Sequence, residues 1–161
     1  MKTWVSYVLF IGIAIFTEVI SGALTSCSMK TYELLQKPPL TPPGILFPIV
    51  WTVLYLLMGI GAARIYQTGA AEVRQALILW GIQLAVSFVW SLIFFNAGAF
   101  LAAFLWLLLL WGLVLAMILS FRALDRTAAL LQIPYLLWIT FAGYLNVSIW
   151  KIGRASCRER V

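Results

Sequence analysis

The sequence predicts an all-α integral membrane bundle of five transmembrane helices, and three observations carry that expectation. Hydrophobic residues make up 64% of the 161 positions and charged ones 10%, with a mean hydropathy of +1.03, more apolar surface than a water-soluble domain of this size can bury. Five stretches, residues 5–26, 43–65, 76–95, 98–121 and 129–150, reach the roughly 20 mostly apolar residues that a bilayer crossing needs. Lys and Arg lie almost entirely at the ends of these stretches. The net charge of +6 therefore points to the lipid bilayer as partner, and nucleic acid is not expected.

The first span follows Lys2. It is too long for a signal-peptide core and is expected to be retained. One face carries small and polar residues, Ala14, Glu18, Gly22 and Thr25. Glu18 is the acidic residue that falls well inside a span. An ionised carboxylate at the bilayer centre costs roughly 2.5–3.5 kcal/mol on insertion scales, so Glu18 should be protonated, paired or turned toward a wet cavity. Two roles stay open for it, a hydrogen bond to a neighbouring helix and a proton-coupling group.

Between the first two spans, SMKTYELLQK contains enough helix formers for a short amphipathic turn. KPPLTPPG, residues 37–44, follows. Each proline lacks a backbone donor and drives its predecessor toward extended geometry, so this segment is a stiff connector. Pro43 suits the first position of the second span, whereas Pro48 and Pro134 lie deeper and are expected to loosen the helices they enter.

The second span places Phe47, Trp51, Tyr55 and Met58 on one face. The third does the same with Gln83, Ser87, Trp90, Ser91 and Phe94. Only Asn96, Ala97 and Gly98 separate it from the fourth, which makes those two helices antiparallel neighbours. The fourth is apolar all round and suits lipid contact or scaffolding. The fifth lines up Tyr135, Trp138, Ala142 and Asn146. In lipid, polar and aromatic residues at helical spacing mark an inward face. For Trp51, Trp90 and Trp138, packing infill and pocket wall stand as equal readings. Trp4 and Trp150 fall at span ends, as belt residues do. The pairs Gly98/Ala102, Ala99/Ala103 and Gly81/Ala85 permit close helix approach, either within one subunit or at a dimer seam.

One domain, residues 1–150, is expected, with residues 151–161 a tail. GRASCRERV has no apolar pattern and reads as an appended sequence. Setting it aside leaves Cys27 alone, so no disulfide framework follows. Histidine is absent. A histidine-ligated haem, a zinc hydrolase and a serine–histidine triad have no residues to build on, and neither metal nor cofactor is expected. Lys2, Arg64, Arg74, Arg122 and Arg126 on one side outnumber Lys30, Lys37 and Lys151 on the other, which predicts an inside N-terminus.

The pieces Pro38-Pro39 and Pro42-Pro43, Phe47-x-x-x-Trp51-x-x-Leu54-Tyr55, Gln83-Leu84 running to Trp90-Ser91-x-x-Phe94-Phe95, and Pro134-Tyr135-Leu136-x-Trp138-x-x-Phe141-Ala142-x-x-Leu145-Asn146 resemble the tryptophan-rich sensory proteins. The family is also called translocator proteins or peripheral-type benzodiazepine receptors. The resemblance implies a multi-pass protein of a bacterial cell membrane and a homodimer. It also implies a loop-capped pocket for porphyrins such as protoporphyrin IX and for benzodiazepine- or isoquinoline-type ligands. Some members are linked to light- and oxygen-dependent porphyrin breakdown. Carried onto this chain, it makes Phe47, Trp51, Tyr55, Gln83, Ser87, Trp90, Phe94, Trp138, Ala142, Asn146 and Pro42 ligand-binding, with Trp138 and Trp51 as electron-donating indoles. Ser87 stands where the family usually has asparagine, which shortens one polar contact. Tyr144 lies one residue too far from Lys151 for the sterol motif of animal members, so sterol handling is not expected. Two other functions compete: a proton-coupled transporter of lipophilic cations built on Glu18, and a purely structural assembly partner.

Overall fold

The computed structural model describes residues 2–159. Five helical stretches among them are long and apolar enough to cross a membrane, and the chain is a multi-pass membrane protein. Helix α1 spans Thr3–Glu33, α2 Leu46–Gln67 and α3 Val73–Ser91, followed by a π-helical turn over Leu92–Asn96. Helix α4 covers Phe100–Leu124, α5 Arg126–Leu130 and α6 Ile133–Glu159.

The amphipathic turn expected after the first span is instead the last two turns of α1, which runs unbroken to Glu33. Nothing between Ala23 and Glu33 lacks a donor or breaks the helical backbone, so propagation continues until the prolines approach. In the connector, the Thr41 N–H and hydroxyl both donate to the Pro38 carbonyl, at 3.1 and 2.8 Å. Lys37 Nζ donates back to the Glu33 carbonyl at 3.2 Å and lies 4.6 Å from the centre of the Tyr32 ring. The connector thereby folds over Tyr32, which is buried at the end of the bundle.

Helix α2 begins at Leu46, later than the sequence suggests, because Pro43 sits in the preceding turn and accepts from the Leu46 N–H at 3.0 Å. Pro48 is then the third helical residue and Pro134 the second of α6. Both occupy first-turn positions whose N–H has no intrahelical partner, so neither removes a helical bond, and the expected loosening has no cause.

Packing follows the short connections. Helix α1 lies along α2, α3 along α4, and α4 along α6. Gly59 makes the first contact possible: a Cβ there would come 2.5 Å from Ile11 Cα, so the α1 and α2 backbones nearly touch. Trp106 Nε1 donates to the Val86 carbonyl at 2.8 Å and ties α4 to α3. Helix α4 is scaffold and lipid surface together, burying Ala103, Leu107, Leu110, Val114, Met117 and Phe121 along one side while Leu105, Leu108 and Leu109 face out. Of the small-residue pairs, Ala103 packs inside. Gly98 lies outside the helix at φ 61°, and Gly81 and Ala85 are exposed. Helix α6 continues through the tail as far as Glu159, and the Arg154 guanidinium lies 5.0 Å from the Trp150 ring centre.

A polar clamp absent from the sequence reading holds α2 to the α4–α5 junction. Arg64 Nε donates to Asp125 Oδ2 at 2.8 Å. The other Asp125 oxygen caps α5, accepting from the Thr127 and Ala128 N–H groups at 2.8 and 3.3 Å. Burial works to raise the Asp125 carboxyl, but the Arg64 bond and the two amide bonds outweigh it and hold it below the usual carboxylate range. Its stabilising contribution is therefore present above the ordinary carboxylate pKa of about 3.9 and disappears as pH falls through the lower folded value. Asp125→Ala, which loses cap and pair, is expected to cost about 1–2 kcal/mol at neutral pH. Asp125→Asn, which keeps a cap, should cost under about 1 kcal/mol. Thermal melting in detergent checks this: the gap between Asp125→Asn and the parent should begin to narrow at about pH 4 and vanish only below the depressed folded value, and a gap that does not narrow with acidification contradicts the assignment.

Candidate functional site

The inward face of α2 delivers Phe47, Trp51, Tyr55 and Met58 to the centre of the bundle. Trp51 is the hub. Its ring centre lies 5.8 Å from Tyr55, 6.0 Å from Trp90, 6.1 Å from Tyr135 and 6.5 Å from Trp138. The Trp51 and Trp138 planes meet at 89°, the edge-to-face arrangement that aromatic quadrupoles favour. Phe47 bridges outward to Trp138 at 5.6 Å and to Tyr32 at 5.8 Å. Phe94 stacks on Trp90 at 5.2 Å. Three indoles from α2, α3 and α6 thus converge, Trp90 buried and Trp51 and Trp138 half-buried.

On the α1 side of Trp51 lies a cavity of about 290 Å³. Its α1 wall is Glu18, Ser21, Gly22, Thr25, Ser26 and Met29. The opposite wall is Phe47, Pro48, Trp51 and Tyr55 from α2, with Ser91 and Phe95 from the end of α3. Thr52 Oγ1 donates to Glu18 Oε1 at 3.3 Å. Glu18 is therefore half-buried, bonded across helices and on the cavity wall at once.

The expected site residues separate into three groups. Phe47, Trp51 and Tyr55 line the cavity. Trp90, Trp138, Phe94 and Ser87 stand behind that wall, the first three through ring contacts and Ser87 through a 3.2 Å hydrogen bond to Tyr55. Gln83, Ala142, Asn146 and Pro42 do not reach the cavity. Gln83 donates to Met58 Sδ at 3.4 Å, Asn146 Nδ2 donates to the Ala142 carbonyl at 2.7 Å, and Pro42 is half-buried in the connector.

Sequence reasoning placed Ser91 and Tyr135 on inward faces without naming them as ligand-binding, and left out Ser21, Ser26, Met29, Pro48 and Phe95 as wall residues and Tyr32 as a ring partner. Phe95 follows Ser91 by one helical turn and shares its cavity side, and its ring also packs against Tyr32 at 5.5 Å and Phe94 at 4.8 Å. Ser21 was legible, one turn from both Glu18 and Thr25.

Several buried polar atoms around the hub have no protein partner among the described residues: the Trp90 and Trp138 indole N–H groups, the Tyr135 and Tyr32 hydroxyls, Gln83 Oε1 and Asn146 Oδ1. A buried unpaired donor costs about 1–3 kcal/mol. Four of these groups are donors, and three belong to rings in direct contact with Trp51. The site therefore combines flat apolar faces, a few unspent donors behind Trp51 and one carboxyl in front of it.

The family model described as the TspO/MBR family matches residues 7–151. Protein CrtK of Rhodobacter capsulatus is 39% identical over 126 residues, 76% of this chain and 78% of that protein. The tryptophan-rich sensory protein of Cereibacter sphaeroides is 33% identical over 150 residues, 93% and 92% of the two chains. The similarity reaches animals: the translocator protein of Ovis aries is 36% identical over 135 residues, 81% and 80% of the two chains.

Proposed function

This chain belongs to the TspO/MBR family, and on that premise we propose that it is a bacterial membrane receptor for porphyrins and other flat aromatic ligands. The observation that carries the reading is the Trp51 hub, with indoles at 6.0 and 6.5 Å and unspent indole N–H groups, beside a cavity of about 290 Å³. A flat macrocycle gains from such a wall by area burial and by ring contacts of about 0.5–1.5 kcal/mol each.

Light-dependent breakdown is the second part of the proposal. Trp138, through Trp51 on the cavity wall, passes one electron to the light-excited macrocycle, leaving an indole radical cation and a macrocycle radical anion. Dioxygen is the oxidant that then attacks the reduced macrocycle. Phenylalanine keeps most of the contact area and is much harder to oxidise. Trp138→Phe is therefore expected to hold protoporphyrin IX affinity within about threefold of the parent while slowing light-dependent loss of the pigment. Absorbance decay at matched occupancy measures it, and equal decay rates in both proteins contradict a redox role for Trp138. The outward strip of Gly81 and Ala85, beside Ile13 and Phe16 in a shallow apolar groove between α1 and α3, belongs to the same proposal as the surface where a second copy docks.

A further inference from the structure

Three of the hydroxyls that line the cavity already donate to backbone carbonyls, which leaves Ser21 Oγ as the serine hydroxyl on the α1 wall still free to donate. Thr25 Oγ1 donates to the Ser21 carbonyl at 2.8 Å, Ser26 Oγ to the Ala23 carbonyl at 3.0 Å and Ser91 Oγ to the Ser87 carbonyl at 3.4 Å. A hydroxyl has one proton, so each of these groups offers the cavity only lone pairs. Glu18 is also undersupplied. Its protein donor is the Thr52 hydroxyl at 3.3 Å, whose one proton is shared with the Pro48 carbonyl, nearer at 2.8 Å. Among the described residues, no Lys or Arg lines the cavity. Lys37, in the connector, is held over the Tyr32 ring. Across from α1 stand the rings of Phe47, Trp51 and Phe95, whose π faces carry negative potential.

We propose that Glu18 makes this cavity selective for charge, so that the wall it shares with Thr25 and Trp51 admits a protonated or quaternary nitrogen on an aromatic body and rejects an anionic group. The ligand class that fits is an aromatic ammonium or a ring system with outward N–H donors. The amine part of the inference stands on the cavity alone. Its extension to macrocycles, that carboxylate side chains point away from α1, rests on the porphyrin reading above. Glu18 is a specificity residue here, supplying charge where the wall supplies stacking.

The groups facing Glu18 are few. Helix α1 contributes the Ser21 and Thr25 hydroxyls, α2 contributes Thr52 and Tyr55, and the end of α3 contributes Ser91. Tyr55 is the other titratable group among them, and its hydroxyl is engaged with Ser87 at 3.2 Å. Acidification therefore weakens the cation site through Glu18 itself.

The test uses full-length protein in neutral detergent with three size-matched probes: naphthylmethyl-trimethylammonium, its uncharged carbon isostere neopentylnaphthalene, and naphthylacetate, each titrated against tryptophan fluorescence. The parent should bind the cation about tenfold or more tighter than the anion, and that preference should fade as pH is lowered. In Glu18→Gln the ratio should fall to within about twofold at every pH, with the neutral probe unchanged as the measure of an intact fold. Thr52→Val, which removes a hydroxyl and no charge, should keep the preference. An unchanged cation-to-anion ratio in Glu18→Gln, or a parent that binds the anion as well as the cation, overturns the proposal. The macrocycle arm compares protoporphyrin IX with its dimethyl ester: Glu18→Gln should tighten the diacid several-fold and leave the ester alone. If neither porphyrin binds the parent, the porphyrin reading fails, and the naphthyl probes decide the role of Glu18 independently.

Discussion

Trp51→Ala is expected to weaken protoporphyrin IX binding by about 100-fold or more, and Trp51→Phe by about tenfold. Trp51 is the ring that the others share: Tyr55, Trp90, Tyr135 and Trp138 all lie within 6.5 Å of it, and it forms the wall between the cavity and the unspent donors behind. Removing the indole opens the cavity toward those buried donors and takes away the largest flat ring in the cavity wall. The truncation also costs stability, about 3 kcal/mol for loss of a large packed aromatic. Binding must therefore be measured on protein that elutes as a single folded species. The conservative variant separates the effects, because Phe keeps packing and loses the wider face. Parent-like affinity in both variants would place the ligand elsewhere.

The largest effect on folding is expected at Gly59. A Cβ there would meet Ile11 Cα at 2.5 Å and Ile11 N at 2.9 Å, both backbone atoms that cannot swing aside. Gly59→Ala must push α1 off α2, against a helix-propensity gain of about 1 kcal/mol, for a net loss of about 1–3 kcal/mol. Gly59→Leu should leave little folded protein. The comparison is Gly12→Ala on α1, where nothing lies within 4 Å of an added Cβ and propensity acts alone, so a gain of up to about 1 kcal/mol is expected. Opposite signs in thermal melting of the two alanine variants support the close α1–α2 approach. A neutral Gly59→Ala contradicts it. Because α1 and α2 form the two sides of the cavity, Gly59→Ala should also blunt ligand binding.

Much of this arrangement is legible in the sequence because membrane helices obey simple constraints. Apolar length gives the five crossings, and the spacing of Phe47, Trp51 and Tyr55 gives the inward face of α2, since a helix repeats every 3.6 residues whatever its surroundings. The three-residue link before α4 gives its pairing with α3. What escapes is information held between helices or in departures from regular geometry. The π-helical turn over Leu92–Asn96 follows from no local residue pattern. The Arg64–Asp125 clamp joins positions far apart in sequence, whose meeting depends on how α2 reaches the α4–α5 junction. Gln83, Ala142 and Asn146 illustrate the opposite limit: helical spacing places them inward correctly, but inward includes the packed core as well as the cavity wall. Glu18 needed its neighbours before its setting was visible, since a carboxyl in a span reads alike whether it meets a hydroxyl, a cavity or both.

The most direct measurement is a titration of the purified protein with protoporphyrin IX in detergent, read by tryptophan fluorescence in the parent and in single replacements of Trp51, Trp138 and the exposed Trp4. Saturable one-to-one quenching is expected, with a midpoint that shifts for the Trp51 replacement, an amplitude that falls for both hub residues and no change for Trp4. Quenching that does not saturate, or that is the same without Trp51 as with it, would contradict a ligand seated against the indole hub.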